Sequence, residues 1–398
     1  MFRCSLARRA LSEHTIKVVE ATAPVVAAAG PDLTAAFYQR MLTGNPELKD
    51  VFNLAHQHNM RQPKALFDSV VGYATHLRDL QALGPVVERI AQKHASFQIT
   101  DAQYQIVGHH LLKTIEEKLN PGADVIAEWG KAYEELANIL IQREKAIYDT
   151  TAEAEGGWRG LRPFKVAEKK KQSDIMTSFK LVPQDGKAVH PQLPGQYLGL
   201  FVRHPSMPYQ EIRQYSLINV PNKEHYEICV RRHDKGQVSP YLHDTIQEGD
   251  ELKVVPPFGD FYYQEPSSKD SALVFIAGED GLTPLLSMIR TLAKEGCTRP
   301  VYWLQYAKKA GDLTYAKEVA ALPLKNLKTH TWIGEKDGAV DCLAAVPKEV
   351  MTNPGTQVYY MGPSAFLDAT DKHLRAIGVA PANSHFECFG PFRAPGTA

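Results

Sequence analysis

The chain has 398 residues, 44% hydrophobic and 23% charged, a balance that excludes disordered and fibrous classes and a length that predicts two or three packed units. Lys plus Arg and Asp plus Glu number 45 each, and no long run of like charge occurs, so no basic face for nucleic acid is on offer. Five cysteines, odd in number and without CxxC spacing, argue against a disulfide framework or a zinc site and fit a reducing compartment.

The opening residues, MFRCSLARRALS, are Arg-rich and free of acid, as the start of a peptide directing the chain to the mitochondrial matrix would be; the plainer reading is a cytoplasmic protein with a ragged basic end. No apolar stretch approaches the roughly 18–20 residues needed to cross a bilayer, so stable membrane insertion is not expected. From about Ser12 to Asp149 apolar residues recur at three- and four-residue intervals, with breaks at Gly30-Pro31, Gly44-Asn45-Pro46, Gly84-Pro85 and Asn120-Pro121-Gly122, which predicts a set of helices. Proline inside a helix costs about 3 kcal/mol unless it occupies the first turn, so a helix is expected to begin at Pro63 with Gln62 at its edge. Gly156, Gly157 and Gly160 then interrupt every periodicity, and the alternating segments FKVAEKK, QYLGLFV, IRQYSLINV and HYEICVRR predict strands. From Ser271 short apolar runs (ALVFIAG, VYWLQYA, THTWIG, QVYYMG) alternate with helical patterns, as in a parallel α/β sheet. The expected fold is therefore multidomain, α plus β plus α/β. Its boundaries fall near 150–158 and 266–271, giving domains 1–150, 151–267 and 268–398.

In the helical part, Phe52 after a Pro-containing turn and His94 in AQKHASFQI stand at a spacing that a haem pocket would require. A lone histidine is more often structural than a ligand, so His94 needs partners. The stretches LTAAFYQRM, NPELKDVF, QPKALF, ERIAQKHASFQI, QYQIVGHHLL and WGKAYEELANILIQRE, in that order, resemble a flavohaemoglobin, a globin fused to a reductase. The resemblance, which with the motifs below covers essentially the whole chain, implies a globin at 1–150 whose haem b iron is held by His94. Tyr104 and Glu144 would stand behind that ligand, where a carboxylate accepting the ring N–H raises donor strength and fixes orientation. Tyr38 and Gln62 match the distal polar pair, Leu66 would crowd the sixth position, Phe52 would wedge the haem, and Lys93 would help set haem potential or guide electrons. His109 and His110 are expected in packing or solvent contacts.

Arg213-Gln214-Tyr215-Ser216 resembles the RxYS motif of the ferredoxin-reductase superfamily. There Arg213 would neutralise pyrophosphate charge, Tyr215 would stack on the flavin and Ser216 would donate to its ring, which makes FAD the expected cofactor. Gly236-Gln237-Val238-Ser239 follows as a glycine turn opening a helix with free N–H groups for phosphates. Pro194-Gly195-Gln196-Tyr197 resembles the strand whose aromatic ring, Tyr197, borders the flavin. Pro257-Phe258-Gly259-Asp260-Phe261 resembles the turn that closes an antiparallel β-barrel.

The first αβ strand ends in Ala277-Gly278-Glu279-Asp280-Gly281-Leu282-Thr283-Pro284, against a family pattern of AGGxGxTP in which small residues let a dinucleotide diphosphate approach a helix N-terminus. Gly278, Gly281, Leu282, Thr283 and Pro284 match it. Glu279 and Asp280 put two acids beside the diphosphate and should weaken NAD(P)H binding unless both face solvent. Met361-Gly362-Pro363 stands where CGP is usual. Phe386-Glu387-Cys388-Phe389-Gly390-Pro391 resembles the family's YECFGP. That match implies that Phe389, with Gly390 and Pro391 after it, covers the flavin, that Glu387 lies near the flavin–haem path, and that Cys388 is packing.

The resemblance implies a monomeric nitric oxide dioxygenase: NAD(P)H reduces FAD, FAD passes single electrons to haem, and dioxygen and nitric oxide become nitrate. Two alternatives stay open: an NAD(P)H oxidase or ferric and lipid-peroxide reductase, and an oxygen or nitric oxide sensing globin whose reductase is impaired by Glu279 and Asp280.

Overall fold

The computed structural model describes residues 11–53, 60–266, 271–337, 342–391 and 395. The basic opening stretch up to residue 10, and residues 267–270 around the expected second boundary, lie outside them. The chain divides into two compact units, one of Met1–Ala152 with Arg203–Ile212 and the other of Glu153–Val202 with Arg213–Ala398.

The first unit is helical. Its helices are α1 (Glu13–Ala28), α2 (Pro31–Gly44), α3 (Arg61–Thr75), α4 (Gly84–Phe97), α5 (Asp101–Leu119) and α6 (Ala123–Glu153). Local chemistry sets their ends. The Ser12 hydroxyl accepts the Thr15 N–H at the start of α1, Pro31 opens α2, and Thr100 and Gln103 form a reciprocal capping box on α5. Helix α3 begins at Arg61, two residues before Pro63, so the proline occupies the first turn, where its missing N–H breaks no helical bond. Thr34 on α2 donates to the Pro63 carbonyl at 2.7 Å and ties the two helices there. Val19, Leu33, Phe37, Met41, Leu48, Ile115 and Trp129 fill one core between them. Asp50 accepts from Arg203 Nη2 at 2.5 Å and from the Gln210 backbone N–H at 2.7 Å, which holds the Arg203–Ile212 segment in this unit.

The second unit holds two sheets. The antiparallel sheet comprises β1 (Arg162–Lys171), β2 (Met176–Pro183), β3 (Tyr197–Val202), β4 (Glu211–Ser216), β5 (Tyr226–Arg231) and β6 (Glu251–Val254), in the order β4-β3-β6-β1-β2-β5, and α7 (Val238–Asp244) follows β5. The expected barrel does not close: β4 and β5 are edges, joined past Ser216 by a single bridge from Leu217 to Ile228. The ladder stops because the Asn219 side chain takes the Glu227 N–H at 2.8 Å in place of a backbone rung, and Pro221 has no N–H to offer.

The parallel sheet comprises β7 (Leu273–Gly278), β8 (Val301–Ala307), β9 (Leu327–Ile333), β10 (Gln357–Met361) and β11 (Ser384–Glu387), in the order β11-β10-β7-β8-β9. Helix α8 (Leu282–Lys294) follows β7 and α9 (Ser364–Ile377) follows β10. All six residues of β7 are buried, as a central strand covered on both faces requires. One apolar core runs from Met176, Ile218, Cys229 and Phe261 of the antiparallel module into Leu273, Phe275, Leu285 and Trp303 of the α/β module, so these two modules pack as one body.

Candidate functional site

His94 lies in the last turn of α4, between the buried Ala91 and Ala95, with about a third of its side chain accessible. Its Nδ1 sits 2.7 Å from the Tyr104 hydroxyl on α5 and 2.9 Å from Glu144 Oε1 on α6, and the Tyr104 hydroxyl donates to the same carboxylate oxygen. Glu144 is 4% exposed, so these bonds form out of water. Burial first, and the neighbouring carboxylate second, push the Tyr104 phenol far above its ordinary pKa, so it keeps its proton and donates. With a carboxylate before it, Nδ1 carries the ring proton and the Nε2 lone pair is left for a metal. No hydrogen bond to Nε2 occurs among the described residues. That donor set fits haem iron: one imidazole, oriented and made electron-rich from behind.

The distal candidates form a second group. Tyr38 on α2 is buried, edge-on to Phe37 and Phe52 at ring separations of 4.9 and 5.6 Å, with the Gln62 side chain near its hydroxyl. Burial raises its pKa, and the nearby Gln62 amide opposes that without cancelling it. Leu66 and Phe52 are partly buried against the same core. Gln62 sits in the first turn of α3, where the positive φ of Met60 turns the chain into the helix. Lys93 is partly exposed, and its carbonyl accepts the Ser96 hydroxyl at 2.7 Å. His110 is buried and bonds Asn45 through Nε2 at 2.9 Å, a packing role as expected.

On the edge strand β4, Arg213, Gln214 and Tyr215 are half-exposed and Ser216 is buried. The Tyr215 hydroxyl makes no hydrogen bond among the described residues, and burial raises its pKa against the opposing charge of Arg213. Tyr197 and Phe258 exchange both backbone hydrogen bonds at 3.0 Å. A Cβ on Gly259, at φ 123°, would come within 2.9 Å of the Tyr197 ring, so the two motifs interlock only because residue 259 is glycine. Gly236 and Gln237 precede α7, which opens at Val238, and the Ser239 hydroxyl accepts the His233 N–H at 3.0 Å. An open strand edge carrying a guanidinium and an unengaged phenol fits a flavin and its phosphates.

In the α/β module the strand order reverses between β7 and β10, with Gly278 and Gly362 at that reversal, the position where open α/β sheets commonly bind dinucleotides. A Cβ on Gly278 would strike the Phe366 ring at 2.7 Å, and one on Gly281 would overlap the Met361 carbonyl. Both glycines are obligatory for close packing. Thr283 Oγ1 donates to the Asp280 carbonyl at 3.0 Å, and Leu282 and Pro284 are buried at the start of α8. Glu279 and Asp280 do not point into solvent: both side chains are under a fifth exposed and both meet Arg231 at the end of β5. Glu387 is buried in register with Met361 and accepts the Cys388 N–H at 2.8 Å. Cys388 is buried in the core beside Tyr360 and Phe386, and Phe389, Gly390 and Pro391 are half-exposed beyond it.

Arg231 is not singled out by the sequence, although two acids in a dinucleotide loop signal the need for a counter-ion. The Arg143–Glu88 pair, with bonds of 2.5 and 2.8 Å next to Glu144 on α6, is likewise missed. No local pattern marks it, because its partners are 55 residues apart.

A helical unit with a carboxylate-backed histidine, joined to an antiparallel flavin module and a parallel dinucleotide module, defines a globin–reductase fusion, an oxidoreductase carrying haem, FAD and NAD(P)H. The globin family matches residues 35–140, and the family described as oxidoreductase FAD-binding domain matches residues 163–263. A curated relative from Giardia intestinalis named Flavohemoprotein is 40% identical, covering 96% of this chain and 99% of its own length. The chain belongs to the flavohemoprotein family. A solved flavohemoglobin from Malassezia yamatoensis, with bound FAD and heme, superposes with a TM-score of 0.85 at 25% identity, covering 96% of this chain and all of that one. The FAD/NAD binding domain of a nitric oxide dioxygenase from Vibrio cholerae is 36% identical with a TM-score of 0.52, covering 58% of this chain and 99% of its own.

Proposed function

We propose that this oxidoreductase is a nitric oxide dioxygenase, using NAD(P)H to convert nitric oxide and dioxygen to nitrate, one electron for each nitric oxide consumed. When bound, NAD(P)H supplies a hydride, FAD splits its two electrons into single transfers, and haem supplies the iron at which the gases react. The observation that carries the proposal is the His94–Tyr104–Glu144 cluster, whose buried carboxylate makes the ligand a strong donor, suited to activating oxygen more than storing it.

In this reading His94 holds iron, and Tyr104 and Glu144 fix its ring. Tyr38 donates to the bound gas with Gln62 orienting its hydroxyl, Leu66 and Phe52 shape the pocket, and Lys93 and Glu387 act beside the electron path. Arg213 to Ser216, Tyr197 and Gly236 to Ser239 hold FAD. Gly278, Gly281 to Pro284 and the Phe389-Gly390-Pro391 segment serve the nicotinamide side. The three functional parts are assigned to 1–150, 151–267 and 268–398. The likeness to the Vibrio cholerae reductase, itself from a nitric oxide dioxygenase, supports the assignment. The sensor alternative depends on uncompensated acids in the dinucleotide loop, and the Arg231 pairing removes that motive. Stopped-flow NAD(P)H oxidation by the holoenzyme, with and without nitric oxide, tests the proposal. Turnover stimulated strongly by nitric oxide, with stoichiometric nitrate, is expected; equal turnover without it would favour the oxidase or reductase.

A further inference from the structure

The loop after β7 departs from the family pattern at a residue whose backbone conformation favours glycine. Glu279 has φ 50°, in the left-handed region that glycine adopts freely and a residue with a Cβ does not. Such a conformation persists only where the surroundings hold it. Two acids in a row also place negative charge where the cofactor's diphosphate must approach the start of α8. A single group answers both difficulties. Arg231, the last residue of β5, donates through Nη1 to Glu279 Oε2 and stands 3.4 Å from Asp280 Oδ1. The three side chains are 20%, 16% and 18% exposed, so the pairing is only partly screened by water. Burial raises the Asp280 carboxyl pKa, opposed by Arg231 and then by His233, so Arg231 is the principal positive charge acting on this carboxyl.

We propose that Arg231 is a positioning residue for the nicotinamide cofactor: it turns the Glu279 and Asp280 carboxylates away from the diphosphate path and pins the loop in the backbone conformation that glycine would otherwise supply. The pair also ties the edge strand β5 of the flavin module to the first loop of the dinucleotide module, so cofactor binding and the register of the two modules share one ion pair. In the intact cluster the formal charge is −1; without the guanidinium it is −2, and the carboxylates are free to swing toward the cofactor. The proposal concerns the NAD(P)H half-reaction alone and stands or falls independently of which gas the haem consumes.

The test uses the haem- and FAD-loaded full chain. Equilibrium binding of NAD⁺ and NADP⁺ is measured by calorimetry, and single-turnover flavin reduction by NADH and NADPH is followed across cofactor concentration and salt. For Arg231→Met the dissociation constant should rise about tenfold, with a much smaller change in the limiting reduction rate. Added salt should tighten binding to this variant by screening repulsion, whereas in the parent chain it should weaken attraction to the diphosphate. Arg231→Lys should restore most of the affinity. Glu279→Gly placed in the Arg231→Met background should recover it as well, because it removes both the charge and the strained residue. Unchanged affinity in Arg231→Met would overturn the proposal. So would a loss that Glu279→Gly fails to rescue, since Arg231 would then be contacting the cofactor directly. If Arg231→Met does not fold, the Glu279→Gly and Arg231→Lys variants carry the test through the same salt dependence. A parent-like salt slope in Arg231→Lys, and an affinity in Glu279→Gly no weaker than the parent's, are expected, and the reverse of either result rejects the proposal.

Discussion

Glu144 Oε1, in the second half of the 31-residue helix α6, accepts the Nδ1 proton of His94 at 2.9 Å from a residue 50 positions earlier in the chain. The same oxygen takes the Tyr104 hydroxyl, so one buried carboxylate orients a ring and a phenol together. Groups that orient a metal-ligating histidine typically change affinity or activity about 10–100-fold when removed. Glu144→Gln should therefore retain haem while losing nitric oxide turnover by roughly that factor, with a more positive haem potential. Spectroelectrochemistry beside turnover checks this. An unmoved potential would mean that the carboxylate only packs.

Tyr38 is buried, with the Gln62 amide near its hydroxyl. Tyr38→Phe removes one hydrogen bond, a change of about 1–1.5 kcal/mol, or roughly tenfold. Oxygen should leave the reduced protein about that much faster, as measured by stopped-flow displacement with carbon monoxide.

Arg213 is a half-buried cation on the edge strand that carries the flavin motif. Arg213→Ala should purify with little FAD and with its haem absorbance intact, because the helical unit has a core of its own. The ratio of flavin to Soret absorbance reads the result directly. Full flavin content would remove Arg213 from the binding set.

Gly281 has no room for a side chain, since a Cβ would overlap the Met361 carbonyl and lie 2.6 Å from the Gly362 nitrogen. Both neighbours are backbone and cannot swing aside. Overpacking of this kind costs about 1–3 kcal/mol. Gly281→Ala should lower the melting temperature of the reductase unit by several degrees and slow flavin reduction by NAD(P)H, while leaving the ligand spectrum of the haem unchanged.

His110 supplies a pH signature. Burial first, then the neighbouring His109 and Arg40, hold its pKa below the ordinary value of 6.5. The folded chain thus binds fewer protons here than the unfolded chain, so the associated stability is complete above pH 6.5 and is lost as pH falls toward the folded value. The melting temperature should drop as pH falls below 6.5 toward the folded value, and His110→Gln should flatten that drop. Melts across this range compare the two slopes.

Much of the architecture is legible in the chain itself. Three- and four-residue apolar spacing marks the helices, and alternation marks β1, because those periods are set by the local geometry of the backbone, whereas β3 is buried at all six positions. Pro63 locates the start of α3 to within two residues for the same local reason, a missing N–H that only a first turn tolerates. His94, Tyr104 and Glu144 can be named from motif resemblance.

Other features depend on where distant segments meet. The open edge between β4 and β5 follows from the Asn219 side chain reaching the Glu227 N–H, a contact without a sequence period. The sequence alone offers two fates for Glu279, repelling the diphosphate or facing solvent, and the fold pairs it with Arg231 out of solvent. Charge energies depend on distance and burial in three dimensions, and Arg231 lies 48 residues away on another module's strand. Local periodicity thus determined which elements form and in what order. Tertiary packing alone decided which charges meet, which carboxylate is shut away from water, and which glycines have no room for a Cβ.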